Sequence, residues 1–181
     1  MKGGSQVMTT TQTTKMIETI KDKAQDIAEQ WYKNVKINPK TPVFHNMPKD
    51  DAIDLVLTFS KNYRKLFDTD NPFEEAQVLF SKFAITCYNM RIPLPQAIYA
   101  LIMMRRHVWL FAEYQAVFET AIDQRHALES QSRMILMFDY AEYVVILKYD
   151  DLIRNEVEDK FKGLKVKSPF FVLWPGGGLK E

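Results

Sequence analysis

A chain of 181 residues with 46% apolar and 13% aromatic side chains can bury a substantial core and is too apolar to be disordered. Its 24 basic and 23 acidic residues leave a net charge of +1, so no bulk positive field directs it to nucleic acid. One cysteine, Cys87, excludes an intramolecular disulfide framework; with no bilayer-length apolar run and no apolar segment in MKGGSQVMTTTQTT, the reading is a cytoplasmic protein.

Only 6 Gly and 8 Pro interrupt the chain, which favours long helices. Residues 1–12 are polar and read as a flexible tail. A first helix is predicted over 14–36, where Ile17, Ile20, Ala24, Ile27, Ala28 and Trp31 recur at helical spacing. Asn38-Pro39 and Thr41-Pro42 end it. Pro48 opens a second helix over 48–67, with Ile53, Val56, Leu57, Ser60, Tyr63, Leu66 and Phe67 on its buried side. Asn71-Pro72 followed by Glu74 and Glu75 is a start signal with an acidic first turn. It predicts a third helix over 72–90, with Phe73, Ala76, Leu79, Phe80, Phe83, Ala84 and Cys87 facing in.

Arg91-Ile92-Pro93-Leu94-Pro95 breaks the chain, and a fourth helix starts near Pro95 and runs through AIYALIMMRRHVWLFAEY. That helix is apolar almost all round, which places it at the centre of the core or between the core and a subunit interface. A helical stretch over 116–129 follows, then a separate long helix over 130–162. The apolar residues of the long helix, among them Met134, Met137, Phe138, Ala141, Val144, Val145, Tyr149 and Ile153, outnumber what one face needs, and dimer contacts along it are expected. The domain therefore spans 13–163, and Gly163 and Ser168-Pro169 separate it from a basic aromatic tail over 164–181. In that tail Lys165 and Lys167 lie near Phe170, Phe171 and Trp174; docking on protein is favoured over a membrane surface.

No catalytic signature is present. The chain lacks a phosphate-binding loop, an H-E-x-x-H, a C-x-x-C, a Glu-x-x-His and a nucleophile elbow. His45 and His126 read as surface residues. His107, amid Met103, Met104, Val108, Leu110 and Phe111, is a candidate axial haem ligand, against the plainer reading of a core or interface histidine bonded to a carbonyl or tyrosine. Arg105 and Arg106 read as partners of Glu113 or of another helix, and Asp139, Glu142, Asp150 and Asp151 as a solvated or charge-paired face. Cys87 reads as an inert core residue, and the nine methionines as core filling that is also able to line an apolar cavity.

Three stretches carry a family likeness. They are Ile27-Ala28-Glu29-Gln30-Trp31; Arg91-Ile92-Pro93-Leu94-Pro95-Gln96-Ala97-Ile98-Tyr99-Ala100-Leu101-Ile102 with Arg105-Arg106-His107-Val108-Trp109; and Phe138-Asp139-Tyr140-Ala141-Glu142-Tyr143-Val144-Val145 with Tyr149. Over roughly residues 15–160 the chain resembles the N-terminal sensory domain of the RsbR/RsbRD family, the stressosome co-antagonists, a module that also precedes some bacterial histidine kinases and occurs alone. The resemblance implies a globin-like all-α bundle of about six helices with a long C-terminal helix, no haem, dimerisation, and a signal-input role without catalysis. No phosphorylatable output domain or kinase follows, so a stand-alone relative or a fragment is expected. The ligand-pocket or signalling candidates are Tyr99, Met103, Arg106, His107 and Trp109; the dimer-interface candidates are Phe138, Tyr143, Val145 and Tyr149. The expected signal is a small ligand or a regulatory protein partner, and no cofactor or metal is expected unless haem binds His107.

Overall fold

The computed structural model describes residues 20–62, 65–68, 71–115 and 121–167, and every regular element among them is helical. In chain order these are α1 (Ala24–Val35), a 3-10 turn (Pro42–His45), α2 (Lys49–Asn62), the short α3 (Lys65–Asp68), α4 (Pro72–Asn89), α5 (Leu94–Gln115) and α6 (Ala121–Lys167). The fold is all-α with a long C-terminal helix, as the hydrophobic periodicity predicts. No described helix is long and apolar enough to cross a membrane.

Two sequence-based boundaries are overturned. The expected break near residue 130 does not exist, because α6 is one helix of 47 residues, about 70 Å long. Nothing between Ala121 and Lys162 is Pro or Gly, so no residue there has a strong reason to stop a helix. Gly163 was expected to end it, but the helix continues to Lys167: one Gly inside a helix costs only about 1 kcal/mol relative to Ala. Within the second predicted helix the structure describes helix over α2 (Lys49–Asn62) and α3 (Lys65–Asp68). Tyr63, the side chains of Phe67 and His126, the N-terminal tail and the aromatic residues Phe170, Phe171 and Trp174 lie outside the described residues.

α6 lies along α4 and α5, while α1 packs on α2 and α5. Trp31 joins α1 to α5: it is fully buried, its Nε1–H donates to the Ala100 carbonyl at 2.9 Å, and its ring meets Phe44 edge-on at 5.6 Å. Thr41 closes the end of α1 by donating its hydroxyl to the Val35 carbonyl at 2.7 Å. Between α2, α4 and α6 sit three rings, with Phe59 5.9 Å from Phe80 and 5.2 Å from Phe138.

The turn between α4 and α5 is held by backbone geometry that only the structure reveals. Arg91 adopts φ 59, the left-handed region, and the Arg91 and Ile92 amides donate back to the Tyr88 and Cys87 carbonyls, both at 3.0 Å. This is a helix-ending turn in which Gly is the usual residue; a residue with a Cβ costs roughly 1–2 kcal/mol there. The turn is tied to α6 by Tyr149, whose hydroxyl donates to the Ile92 carbonyl at 3.0 Å and whose ring meets Tyr88 edge-on at 5.6 Å.

Phe73 was expected inside but is 61% exposed, leaning edge-on against Tyr140 at 4.9 Å. It sits in the first turn of α4, where Ala76, Leu79 and Phe80 face the core from another side of the helix. We expect Phe138→Ala to lower unfolding stability by about 3–5 kcal/mol and Phe73→Ala by only about 1 kcal/mol in urea denaturation. Similar losses for the two variants would contradict this packing.

Candidate functional site

A partly open cavity of about 240 Å³ lies where α2, α4 and α5 meet. Each helix contributes one amphipathic stripe. Leu55 and Phe59 on α2 and Leu79, Phe80 and Phe83 on α4 form the walls; Leu101 and Met104, one turn apart on α5, form the floor. Met90 lies at the edge, and Asp51, Asp54, Thr58, Lys82 and Thr86 surround the mouth. The cavity is therefore apolar within and polar at its rim, the usual build of a small-molecule site. An engineered cavity of roughly 150 Å³ holds benzene, so this space suits a monocyclic aromatic or a short aliphatic chain.

None of the five ligand-pocket candidates read from the sequence lines this cavity. Met103 and His107 are buried in α5 away from the cavity lining. Arg106 is exposed; Trp109 is half-buried against the core. Tyr99 is half-buried, with the Lys40 ammonium 5.0 Å from the centre of its ring. The residues that do form the cavity come from three helices far apart in sequence. The only cue to them was the apolar stripe of each helix, shared with ordinary core positions.

His107 is a satisfied core histidine. Its Nδ1–H donates to the Met103 carbonyl at 2.7 Å, and its Nε2 accepts from the Asn34 carboxamide at 2.7 Å. The second N–H of that carboxamide goes to the Gln30 carbonyl at 3.0 Å. Both ring nitrogens are used, so iron at Nε2 would have to displace Asn34, and the described cavity lies elsewhere on α5. These residues do not fit haem. Burial holds the imidazole below its ordinary 6.5; the Met103 carbonyl opposes this and the Arg106 guanidinium adds to it.

The arginine reading is borne out for Arg105, which pairs with Asp139 of α6 at 2.9 Å. Asp150 pairs with Arg154 at 2.6 Å, also as a charged face predicts. Glu142 is less comfortable: its Oε1 is buried with no hydrogen-bond partner among the described residues, and burial raises its carboxyl above the usual value while Arg105 opposes the rise. Cys87 is fully buried and its thiol is pushed up to about 12, so it is not a nucleophile. Among the described residues, no group of three His, Cys, Asp or Glu is placed to hold a metal ion.

Three of the four dimer-interface candidates are corrected. Phe138, Val145 and Tyr149 are buried within the chain itself, on the side of α6 that packs on its own helices, so they present no surface to a partner. Only Tyr143 is outside, at 56% exposure. α6 is apolar on two sides, and the sequence alone does not say which is the core side. No family model, curated protein or solved structure matches the chain.

The depressed His107 value gives stability a pH dependence of known sign. Above the ordinary 6.5 the ring is neutral in both folded and unfolded chains. Below it the unfolded chain binds the proton first, so stability falls as pH falls toward the folded value. We expect the urea midpoint to drop between about pH 7 and about pH 5.5, and the drop to be smaller in His107→Gln. Equal drops in both proteins would assign the effect to other groups.

Proposed function

We propose that this chain is a non-catalytic sensing domain that works as a dimer, with a small apolar molecule in the α2–α4–α5 cavity as its signal. The observation that carries this reading is the shared use of two aromatic rings. Phe59 and Phe80 line the cavity, and both pack on Phe138 of α6, at 5.2 and 6.4 Å. A ligand that displaces either ring changes the seat of Phe138, and with it the position of the long helix. Close-packed interiors shift between discrete arrangements rather than deform smoothly, so a small displacement can move a whole helix.

The resemblance to the RsbR/RsbRD sensory domain supports the same reading. So does the exposed apolar side of α6, where Leu136, Tyr143, Ile146, Leu147, Ile153, Val157 and Phe161 all face outward. An exposed apolar stripe of this extent is characteristic of an interface. A purely structural role for the cavity predicts no coupling between its contents and that stripe.

Two measurements test the proposal. In sedimentation the full chain is expected to be dimeric at roughly tens of micromolar, and a monomer there would remove the dimeric reading. In ligand-observed NMR, monocyclic aromatics and short-chain alcohols are expected to bind the wild type and not Met104→Trp, which fills the cavity floor. The same ligands should shift the dimer dissociation constant several-fold in the wild type, while Phe138→Leu binds them and shows no shift. Equal shifts in both would exclude the aromatic relay.

A further inference from the structure

Resting on the dimeric reading above, we infer that α6 pairs with α6 of a second copy of this chain in antiparallel fashion, centred near Leu152 and selected by Asp150 and Arg154.

The core side of α6 is set by Met134, Phe138, Ala141, Val145 and Tyr149, all buried. At about 3.6 residues per turn, Tyr143, Leu147, Asp150, Arg154, Val157 and Phe161 fall on the opposite side. The described helices that pack on α6 are then on its far side, and among the described residues there is room for two such helices to meet. These six residues form two columns with a seven-residue period: Tyr143, Asp150 and Val157 in one, Leu147, Arg154 and Phe161 in the other. That is the period of a helix–helix seam. From Tyr143 to Phe161 the seam is about 27 Å long. From Val157 to Lys162 every side chain is exposed, so no described residue covers the apolar residues Val157 and Phe161.

The charges decide the direction. Asp150 and Arg154 sit in the middle of the stripe, 63% and 65% exposed, and pair with each other along the helix at 2.6 Å. Parallel and in register, the seam would bring Asp150 against Asp150 and Arg154 against Arg154 of the second copy. Antiparallel about Leu152, Asp150 of each copy meets Arg154 of the other, and the two intrahelical pairs close into one alternating set of four charges. The same alignment brings Tyr143 opposite Phe161 and Leu147 opposite Val157, so each level of the seam is chemically matched. Like charges held together in an apolar seam disfavour an arrangement strongly, and opposite ones fix its register.

Charge reversal and cross-linking of the full chain test this together. Asp150→Arg and Arg154→Asp should each weaken the dimer by about tenfold or more, and the double exchange should restore it. Failure of the double exchange to restore it would overturn the role of the charges. For direction, Leu147→Cys and Val157→Cys proteins are mixed under copper–phenanthroline oxidation; Cys87 is buried and does not compete. The mixture should cross-link, and Val157→Cys alone should not. A dimer in which Val157→Cys cross-links alone overturns the antiparallel register and leaves the dimeric reading standing, whereas a wild-type monomer overturns both.

Discussion

Phe138 projects from α6 into the space between α2 and α4, and the arrangement of the bundle depends on where that ring sits. Its ring lies 5.2 Å from Phe59 and 6.4 Å from Phe80, in tilted rather than stacked contacts. Each such pair contributes about 0.5–1.5 kcal/mol beyond its area, enough to hold a preferred geometry without locking it. Phe59 and Phe80 also line the cavity, where part of their surface lacks close packing partners. The rings therefore join a well-packed side to a poorly packed one.

The length of α6 turns a local contact into a long-range one. The helix is anchored near its middle, where Tyr149 holds the α4–α5 turn through the Ile92 carbonyl and Tyr88 donates to the Glu156 carboxylate. That hydrogen bond raises the Tyr88 hydroxyl above its usual value, while Lys160, Tyr88 and nearby positive charge lower Glu156. Beyond this anchor the helix leaves the bundle. The turn it grips contains Arg91 in a left-handed conformation, an unfavourable state maintained because the Ile92 amide and carbonyl are both bonded and its side chain is buried. The Arg91–Pro95 motif thus positions the start of α5 and fastens it to α6.

The interior polar groups are mostly satisfied in a way that keeps α1 and α5 together. Trp31 donates to Ala100, and Asn34 one turn later donates to His107. None of these four residues lines the cavity. Glu142 is the contrasting case: a half-buried carboxyl on α6 with one oxygen unpartnered among the described residues, its charge offset by Arg105 nearby.

Much of the secondary structure was legible from the chain alone, because helical spacing and local start signals act over a few residues. Asn71-Pro72 with Glu74 and Glu75 predicts the start of α4, and Arg91–Pro95 its end. The seat of His107 against a carbonyl was legible in kind, since a neutral imidazole in an apolar helix needs a partner. Where local signals were weak, the reading failed: nothing near residue 130 is a breaker, and one Gly at 163 is too small a penalty to end a long helix. Facing was harder still. α5 and α6 are apolar on more than one side, so Phe138, Val145 and Tyr149 could be recognised as important but not assigned inward; on α4, Phe73 stands at helical spacing from Ala76 and Phe80 and so reads as core. The cavity was beyond reach, because its lining comes from three helices whose apolar stripes look like ordinary core. The sequence by itself determined an all-helical chain with a long last helix; only the tertiary structure decided which side of that helix is core, which side is free, and where the space between helices remains, because those are properties of how separate stripes meet.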